Sequence, residues 1–408
     1  MVEEIFQPLV SFPCPMKKIV TAGIDVGTYQ VKVVVTEYIP ESGMKFPRII
    51  GRGVSESKGL HHGYIINVDD ATRSIRSALN EAEKQAKIDV KRAYVSIGGI
   101  GLASISATGS IVISRADQEI TELDVDKAVE SCTENIPSAF ILNKKIIHSI
   151  PLEYKIDSSS VLGNPIGMKG TKLEVKALFV TAVDKHVADV TEAMERAGVS
   201  VIDVIAAPIA ASFVTLEKRQ KMAGCVLANV GAETLSIAVF ENNIPISLEV
   251  FPIGSSDITN DIALGLRVPL EEAENIKQTG AGSSFYPRKK LQEIIEARLH
   301  DMFELIESHL KKIEKNGLLP AGIILTGGGS GITSIDELAK ASLNLPSRVA
   351  YLFSGKSGEP RVQDSFWSVA YGLCIIGSTS GSDEAVGLKK TTADIAGVVG
   401  RWIKQFLP

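Results

Sequence analysis

A chain of 408 residues is too long for one ordinary core and divides into roughly two to four domains or subdomains. Its 45% hydrophobic and 22% charged residues exclude a disordered chain, and a net charge of −5 lacks the basic excess that a nucleic-acid partner requires. Cys14, Cys132, Cys225 and Cys374 are scattered without metal-ligand spacing or a disulfide framework, which fits a reducing cytosol.

Residues 1–18 read as an N-terminal extension. Glu3, Glu4 and the prolines ahead of Met16-Lys17-Lys18 do not make a signal peptide, and no stretch approaches the ~18 apolar residues of a membrane span. Residues 19–97 form a first α/β subdomain: a hairpin, a strand from Pro47 to Gly53, a helix and a strand ending near Val95. The helix opens near Asp69-Asp70, whose carboxylates suit an N-cap, and Ile75, Ala78, Leu79, Ala82 and Ala86 share one face. Residues 98–176 read as an inserted α+β subdomain, with strand Ile105–Ser114, helix Glu122–Glu134, strand Lys145–Ile156 and the turn Gly163-Asn164-Pro165-Ile166-Gly167.

Alternation then resumes in a second core over 177–254. Its elements are strand Leu173–Ala182, helix Lys185–Ala197, strand Val201–Ile205, a short helix and a second hairpin. Residues 255–320 are mostly helical, in the segments Ser256–Leu266, Pro269–Gln278 and Lys289–Lys315. Residues 321–377 return to the second core through the buried strand Ile323–Thr326 and a helix Thr333–Ala341. Residues 378–393 are a polar linker opening with Ser378-Thr379-Ser380-Gly381, and 394–408 an amphipathic helix.

One pattern occurs twice. Gly23-Ile24-Asp25-Val26-Gly27-Thr28 runs into alternating Val31, Val33 and Val35, and Ala228-Asn229-Val230-Gly231-Ala232-Glu233-Thr234 runs into Leu235, Ile237 and Val239. Each copy is a β-hairpin with a polar, glycine-containing tip. Two such tips can clamp one phosphate chain: glycine admits backbone N–H groups to the oxygens, Thr28 and Thr234 add hydroxyls, and Asp25 can hold a Mg ion through water.

A third contact is the turn Gly327-Gly328-Gly329-Ser330, between a strand and a helix at a sheet's carboxyl end. A fourth is Glu274 with Lys277, one face of a helix, where a carboxylate can accept from ribose hydroxyls and a lysine stem can lie along a base. Two similar strings carry no site: Gly355-Lys356-Ser357 lacks the opening glycine of a P-loop, since Ala350 stands there, and Gly98-Gly99-Ile100-Gly101 fails the dinucleotide pattern.

At the end of the chain Ile395, Val398, Val399, Trp402, Ile403 and Phe406 recur at helical spacing, with Arg401, Lys404 and Gln405 opposite. About 13 helical residues make ~20 Å, too short to cross a ~30 Å hydrocarbon core. Such a helix suits the membrane interface, its cations near anionic headgroups. One helix gives only reversible attachment, so avidity from polymerisation or a polymeric partner is implied.

These residues resemble the actin/Hsp70/sugar-kinase superfamily and, within it, the FtsA family of bacterial cell-division proteins from about Ile19 onward. Carrying the resemblance are Val95-Ser96-Ile97-Gly98-Gly99, Glu119-Ile120-Thr121-Glu122-Leu123-Asp124-Val125, Pro165-Ile166-Gly167-Met168-Lys169-Gly170 with Leu173-Glu174-Val175, and Ile258-Thr259-Asn260-Asp261-Ile262-Ala263-Leu264-Gly265-Leu266-Arg267 running into Glu271-Glu272-Ala273-Glu274-Asn275-Ile276-Lys277. Leu325-Thr326-Gly327-Gly328-Gly329-Ser330 matches the adenosine turn.

The resemblance implies an α/β actin-like ATPase fold with two duplicated domains, a small α+β insert in the first and a helical subdomain in the second. It implies ATP with Mg as cofactors, Gly254 and Ser255 at the phosphate end, and a phosphate-binding Lys32. It implies as partners the tail of the tubulin-like protein FtsZ on the helical subdomain, other division proteins, further copies of the chain in a filament, and an anionic membrane surface at the cytoplasmic face of the inner membrane at the division site. The cluster Arg288-Lys289-Lys290 with Arg298, Lys311 and Lys312 is the candidate receptor for an acidic peptide, with Glu293, Glu296 and Glu304 interleaved.

The second tip departs from the family's usual Asp-Ile-Gly-Gly-Gly-Thr. Asn229 carries no charge and accepts no proton, and Glu233 puts a negative charge beside a phosphate site unless it turns outward. The expectation is ATP binding with slow or absent turnover, at most a weak ATPase. A pilus-assembly adaptor of the PilM type and a small-molecule kinase of the same superfamily are the alternatives; the terminal helix and Asn229 argue against them.

Overall fold

The computed structural model describes residues 18–40, 43, 46–279, 286–353 and 360–380. The first half opens with β1 (Ile19–Val26), β2 (Gln30–Tyr38) and β3 (Arg48–Glu56). A short hairpin of β4 (Leu60–His61) and β5 (Tyr64–Ile65), helix α1 (Val68–Ala86) and β6 (Arg92–Ile97) follow. The chain then leaves through β7 (Ala103–Val112), α2 (Glu122–Glu134), α3 (Ser138–Ile141), β8 (Lys144–Ile156), β9 (Ser159–Val161) and β10 (Lys172–Val183). It returns with α4 (Asp184–Arg196) and β11 (Ser200–Ala206).

The second half comprises α5 (Ala207–Thr215), α6 (Lys218–Ala223), β12 (Cys225–Val230), β13 (Leu235–Glu241) and β14 (Ile244–Phe251). After them come α7 (Ser255–Leu266), α8 (Leu270–Thr279), α9 (Arg288–Lys312), β15 (Ile323–Thr326), α10 (Ile335–Leu343), β16 (Ser347–Val349) and α11 (Ser368–Ser380).

Strand pairing repeats one plan. The first five-stranded sheet runs β3-β2-β1-β6-β11, with β1, β2 and β3 antiparallel and β6 and β11 added in parallel. The second runs β14-β13-β12-β15-β16 with the same directions. In both, the first strand of a meander, central in its sheet, receives a parallel neighbour, and its hairpin tip lies beside that neighbour's carboxyl end, where open α/β sheets bind ligands. Ile24, Val31, Val33, Val35, Ile75 and Leu79 are fully buried between the first sheet and α1, each stabilising the fold by roughly 1.5–3 kcal/mol. Val226, Ile237, Ile323, Leu325, Phe303 and Ile306 do the same in the second half.

The insert is a four-stranded sheet, β7-β10-β8-β9, covered by α2 through Ala128, Cys132, Leu173, Val175 and Phe179. Its boundaries differ from the sequence expectation. β10 pairs with β7 and β8 from Lys172 to Val183, and β11 pairs in parallel with β6, so the insert extends past 176 and the segment from α4 to β11 belongs to the first sheet. Pairing partners are non-local, and the alternation of strand and helix over 177–206 has the same local period whichever sheet it joins.

The last described helix, α11, packs between the two halves: Leu373 and Ile376 share a core with Ala210 and Ala211 of α5, and Ala370 and Leu373 lie against Gly23 of β1, where an added Cβ would lie 2.2 Å from the Ala370 carbonyl. Its last turn takes in Ser378, Thr379 and Ser380, the start of the expected linker; the Ser378 and Thr379 hydroxyls bond the Ile375 carbonyl, both at 2.8 Å. The N-cap of α1 is Asn67, whose side chain accepts from Asp70 N at 3.1 Å, while Asp69 and Asp70 lie in the first turn.

Candidate nucleotide-binding site

Both tips face one cleft of about 530 Å³ between the halves. Asp25, at the end of β1, pairs across the hairpin with Lys32, so the seven-residue spacing places both side chains on one face of the strands. Lys32 Nζ lies 3.3 Å from Asp25 Oδ2, and the Ser96 hydroxyl on β6 donates to Oδ1 at 2.8 Å. With Asp25 8% exposed, these two contacts fix the carboxylate before any ligand arrives. The Lys32 ammonium also sits 4.5 Å from the centre of the Phe366 ring. At the tip, the Ser57 hydroxyl donates to the Gly27 carbonyl at 2.5 Å, and Gly63 N donates to Thr28 Oγ1 at 3.0 Å.

The second tip is closed by Gly231 N donating to the Thr234 carbonyl at 2.8 Å, and it is held against the start of α7. Ser255 and Ser256 donate their backbone N–H groups to the Gly231 and Ala232 carbonyls at 2.9 and 2.8 Å. Gly254 donates to Asp257 Oδ2 at 2.7 Å and touches Ala232, where an added Cβ would lie 2.2 Å from the carbonyl oxygen. Gly254 therefore shapes the tip from behind, whereas Ser255 lines the cleft beside Asn229, Gly231 and Thr234.

The glycine turn after β15 separates into two roles. Gly327 has φ +88°, and a Cβ there would lie 2.2 Å from Asn229 Oδ1, while one at Gly329 would lie 2.5 Å from Val230 Cγ1. These two glycines let the turn lie against β12. Gly328 and Gly331 line the cleft, and a Cβ at either meets nothing within 4 Å. Their missing side chains leave room for a ligand at the backbone, as does Gly98 on the opposite wall, also without a neighbour within 4 Å. Ser330 is 2% exposed, and its hydroxyl donates to the Gly327 carbonyl at 2.7 Å, which holds the turn's shape.

Glu274 and Lys277 form the far wall. The pair is no exposed helix salt bridge: at 2.7 Å, its lysine side chain is only 9% exposed. Lys277 Nζ donates to the Ser255 carbonyl at 3.1 Å and to Thr259 Oγ1 at 2.8 Å, and the Thr259 hydroxyl donates to Glu274 Oε2 at 2.6 Å. Burial pushes the Glu274 carboxyl up, but hydrogen bonds from Lys277, Thr259 and Gln278 outweigh it and hold the group below its ordinary range. The network ties α8 to α7 and presents a charged carboxylate to the cleft.

The fit to a nucleotide rests on these features. Open glycine backbone lies on both walls, lysine and serine donors reach the interior, and one fixed carboxylate stands at the tip. No group of three or more His, Cys, Asp and Glu suited to a metal ion occurs among the described residues. A Mg ion would therefore rest on Asp25, water and the phosphates, the way this ion is usually held.

Ser96, Gly98, Gly99 and Phe366 also line the cleft and were missed from sequence. The available signal was position: Gly98-Gly99 follow the parallel strand β6 at its carboxyl end, as Gly327-Gly328 follow β15, and the dinucleotide pattern was the wrong test for them. Glu233, beside the cleft, turns outward to His61 and His62.

On α9, Lys289 is 92% exposed and loosely paired with Glu293, at 3.9 Å, and Arg288 and Lys290 are exposed beside it. Arg298 makes a bidentate pair with Asp261 at 2.6 and 3.0 Å, bracing α9 against α7. Ile395, Val398, Val399, Arg401, Trp402, Ile403 and Phe406, and Gly355-Lys356-Ser357, lie outside the described residues.

Comparison with known proteins agrees with this architecture. Residues 226–372 match the family model described as cell division protein FtsA, and residues 99–181 match the SHS2 domain inserted in FtsA. The cell division protein FtsA of Bacillus subtilis is 30% identical over 350 residues, spanning 80% of this chain and 77% of the relative. Among solved structures, the PilM-PilN type IV pilus biogenesis complex superposes with TM-score 0.65 at 18% identity, over 88% of this chain and 98% of that one. MreB 5 of Spiroplasma citri bound to AMPPNP superposes with TM-score 0.50 at 13% identity, over 90% and 99%. The fold is that of the actin-like ATPases, and the chain belongs to the FtsA family of cell-division proteins.

Proposed function

We propose that this chain is an ATP-binding, actin-like adaptor that anchors FtsZ filaments to the cytoplasmic face of the inner membrane at the division site and itself assembles into filaments. The observation that carries the nucleotide part is the cleft's construction. Duplicated tips face each other, Asp25 is held by Ser96 and Lys32, and Gly98, Gly328 and Gly331 leave open backbone on both walls.

Bound Mg would neutralise phosphate charge beside Asp25. The chain's residues would do the rest. Lys32 and Thr28 meet the phosphates from one side and Thr234 from the other, while Glu274 accepts from sugar hydroxyls. Turnover is slow or absent, because Asn229 cannot take a proton and the lining carboxylates, Asp25 and Glu274, are already bonded to lysine. Nucleotide acts by favouring the closed arrangement of the halves, and so self-association.

Membrane attachment rests on the sequence pattern from Ile395 to Phe406 and on family membership. FtsZ docking on the helical subdomain rests on that family and on the exposed cations Arg288, Lys289 and Lys290, whereas Arg298 is engaged with Asp261. The pilus-adaptor alternative has only the shared fold behind it, and a kinase would need an uncommitted carboxylate at the cleft.

Co-sedimentation with anionic liposomes tests the adaptor reading. The intact chain should pellet, more so with Mg-ATP, and a chain truncated after Ser380 should stay in solution. Equal behaviour of the two at low salt would refute membrane attachment through this segment.

A further inference from the structure

Glu233 stands in the turn joining β12 to β13, yet its side chain leaves the cleft and crosses to the β4–β5 hairpin of the first half. Its Oε2 accepts the backbone N–H of His62 at 2.5 Å and lies 3.2 Å from His61 Nδ1, and its carbonyl oxygen lies 3.2 Å from His62 Nδ1. A carbonyl oxygen only accepts, so the His62 imidazole donates from Nδ1 in its contact with the Glu233 carbonyl.

The hairpin that receives Glu233 is tied just as directly to the other tip. Gly63 N donates to Thr28 Oγ1 at 3.0 Å, and Gly63 packs so closely on Gly99 that an added Cβ would lie 2.5 Å from its Cα. His62 has φ 47° and Gly63 φ 81°, both left-handed, as a two-residue turn with the hairpin's native twist requires. One stiff turn therefore links Thr28 on the first tip to Glu233 on the second, through Gly63 and His62. The Glu233 side chain is 29% exposed and that of His61 60%, so the link lies at the rim, where it can open without unfolding either half.

We propose that Glu233 is a positioning residue for the second tip: with His61 and His62 it forms a latch that sets the spacing of the two tips before nucleotide enters. This inference rests on the nucleotide reading of the cleft. A protein whose binding-competent arrangement is already populated avoids the penalty that a partly open one incurs, so loss of the latch weakens binding. Bare electrostatics gives the opposite sign: a carboxylate acting only through its charge repels phosphate, and removing it would tighten binding.

The experiment uses the full-length chain with Cys14→Ser, Lys84→Cys on α1 and Lys340→Cys on α10, spin-labelled at the two new cysteines; Cys132, Cys225 and Cys374 are buried. Electron–electron distance distributions are measured with and without Mg-ATP, beside equilibrium binding of a fluorescent ATP analogue. The parent should give a narrow distribution that Mg-ATP shortens slightly, as the halves complete their closure. Glu233→Ala should give a broader, longer one that Mg-ATP narrows, with affinity about tenfold weaker, on the scale of lost hydrogen bonds to a charged group.

His61→Ala, at an exposed position that does not threaten folding, should move both readouts in the same direction by less, and should add little in the Glu233→Ala background. Unchanged distributions in both variants, or tighter binding in Glu233→Ala, would overturn the latch. Failure of the parent to bind Mg-ATP would sink the nucleotide reading, while the nucleotide-free distributions would still decide the latch.

Discussion

The two hairpin tips share a backbone and differ in charge. Val26 pairs with Val31 at the end of one hairpin and Val230 with Leu235 at the end of the other, and each central strand has a parallel neighbour ending in glycines. At the first tip the polar residue is Asp25, bonded to Ser96 and Lys32; at the second it is Asn229, whose Oδ1 faces Gly327. On the proposed reading both tips offer a place for phosphates, and only the first, through Asp25, sets a carboxylate in the cleft to steer a metal ion. The second tip became a wall and, through Glu233, a point of attachment to the opposite half.

Removing the first tip's charge should break the comparison most strongly. Asp25→Asn is expected to weaken Mg-ATP binding about 10- to 100-fold, since a charged hydrogen-bonding group is worth ~1.5–3 kcal/mol and each 1.4 kcal/mol is tenfold. Titration with a fluorescent ATP analogue, with and without chelator, would show it, and unaltered affinity would remove Asp25 from the site. Restoring charge at the second tip should sharpen the comparison: Asn229→Asp is expected to raise ATP hydrolysis at least tenfold, the lower end of what a proton acceptor supplies being about 100-fold. A phosphate-release assay reads this directly, and no rise would mean that the second tip does not approach the reacting phosphate.

The glycine turn offers a smaller, paired test. Gly327→Ala meets Asn229 Oδ1 at 2.2 Å and a left-handed φ, so thermal unfolding should show a loss of about 1–3 kcal/mol. Gly328→Ala meets nothing within 4 Å, so stability should stay within ~0.5 kcal/mol while nucleotide affinity drops. Equal effects of the two on stability would contradict the division of roles.

The smallest effect at any one pH comes from buried histidines. Burial lowers His148 from 6.5 to about 3, and His186 and His309 to about 4. Below pH 6.5 the unfolded chain takes up protons at these residues that the folded chain refuses, so they make stability fall on acidification. Asp203, raised by burial from 3.8 to about 7, acts oppositely, because the folded chain keeps its proton between those values. Burial also pushes the Glu249 carboxyl up, in the same sense as Asp203; three groups oppose two, so Tm should decline modestly as pH drops from 6.5 towards 4.5, and a flat or rising profile would contradict these assignments.

Legibility in the sequence followed the range of the interaction. Hairpins, the helix Glu122–Glu134 and the buried strand Ile323–Thr326 carry their period within a few residues and were read correctly in kind and place. Asp25 with Lys32, Asn229 and Gly327 were legible because a strand register and a glycine turn are local. Sheet membership of Ser200–Ala206 and the docking of α11 on Gly23 were not, because they depend on partners more than a hundred residues away. Ser96 and Phe366 were hidden for the same reason: their roles exist only once β6 and the segment before α11 lie beside β1. Glu233 was read as an unfavourable charge, and its outward turn to His61 and His62 was not visible without the opposite half.

Hydrogen–deuterium exchange of the full-length chain with and without Mg-ATP tests the central claim, that one phosphate chain lies between the two tips. The account predicts slowed exchange in peptides covering residues 26–30, 97–101, 230–234 and 327–332 together, with little change over the outer strands of the insert. Saturating Mg-ATP that protects only one tip, or neither, would contradict it.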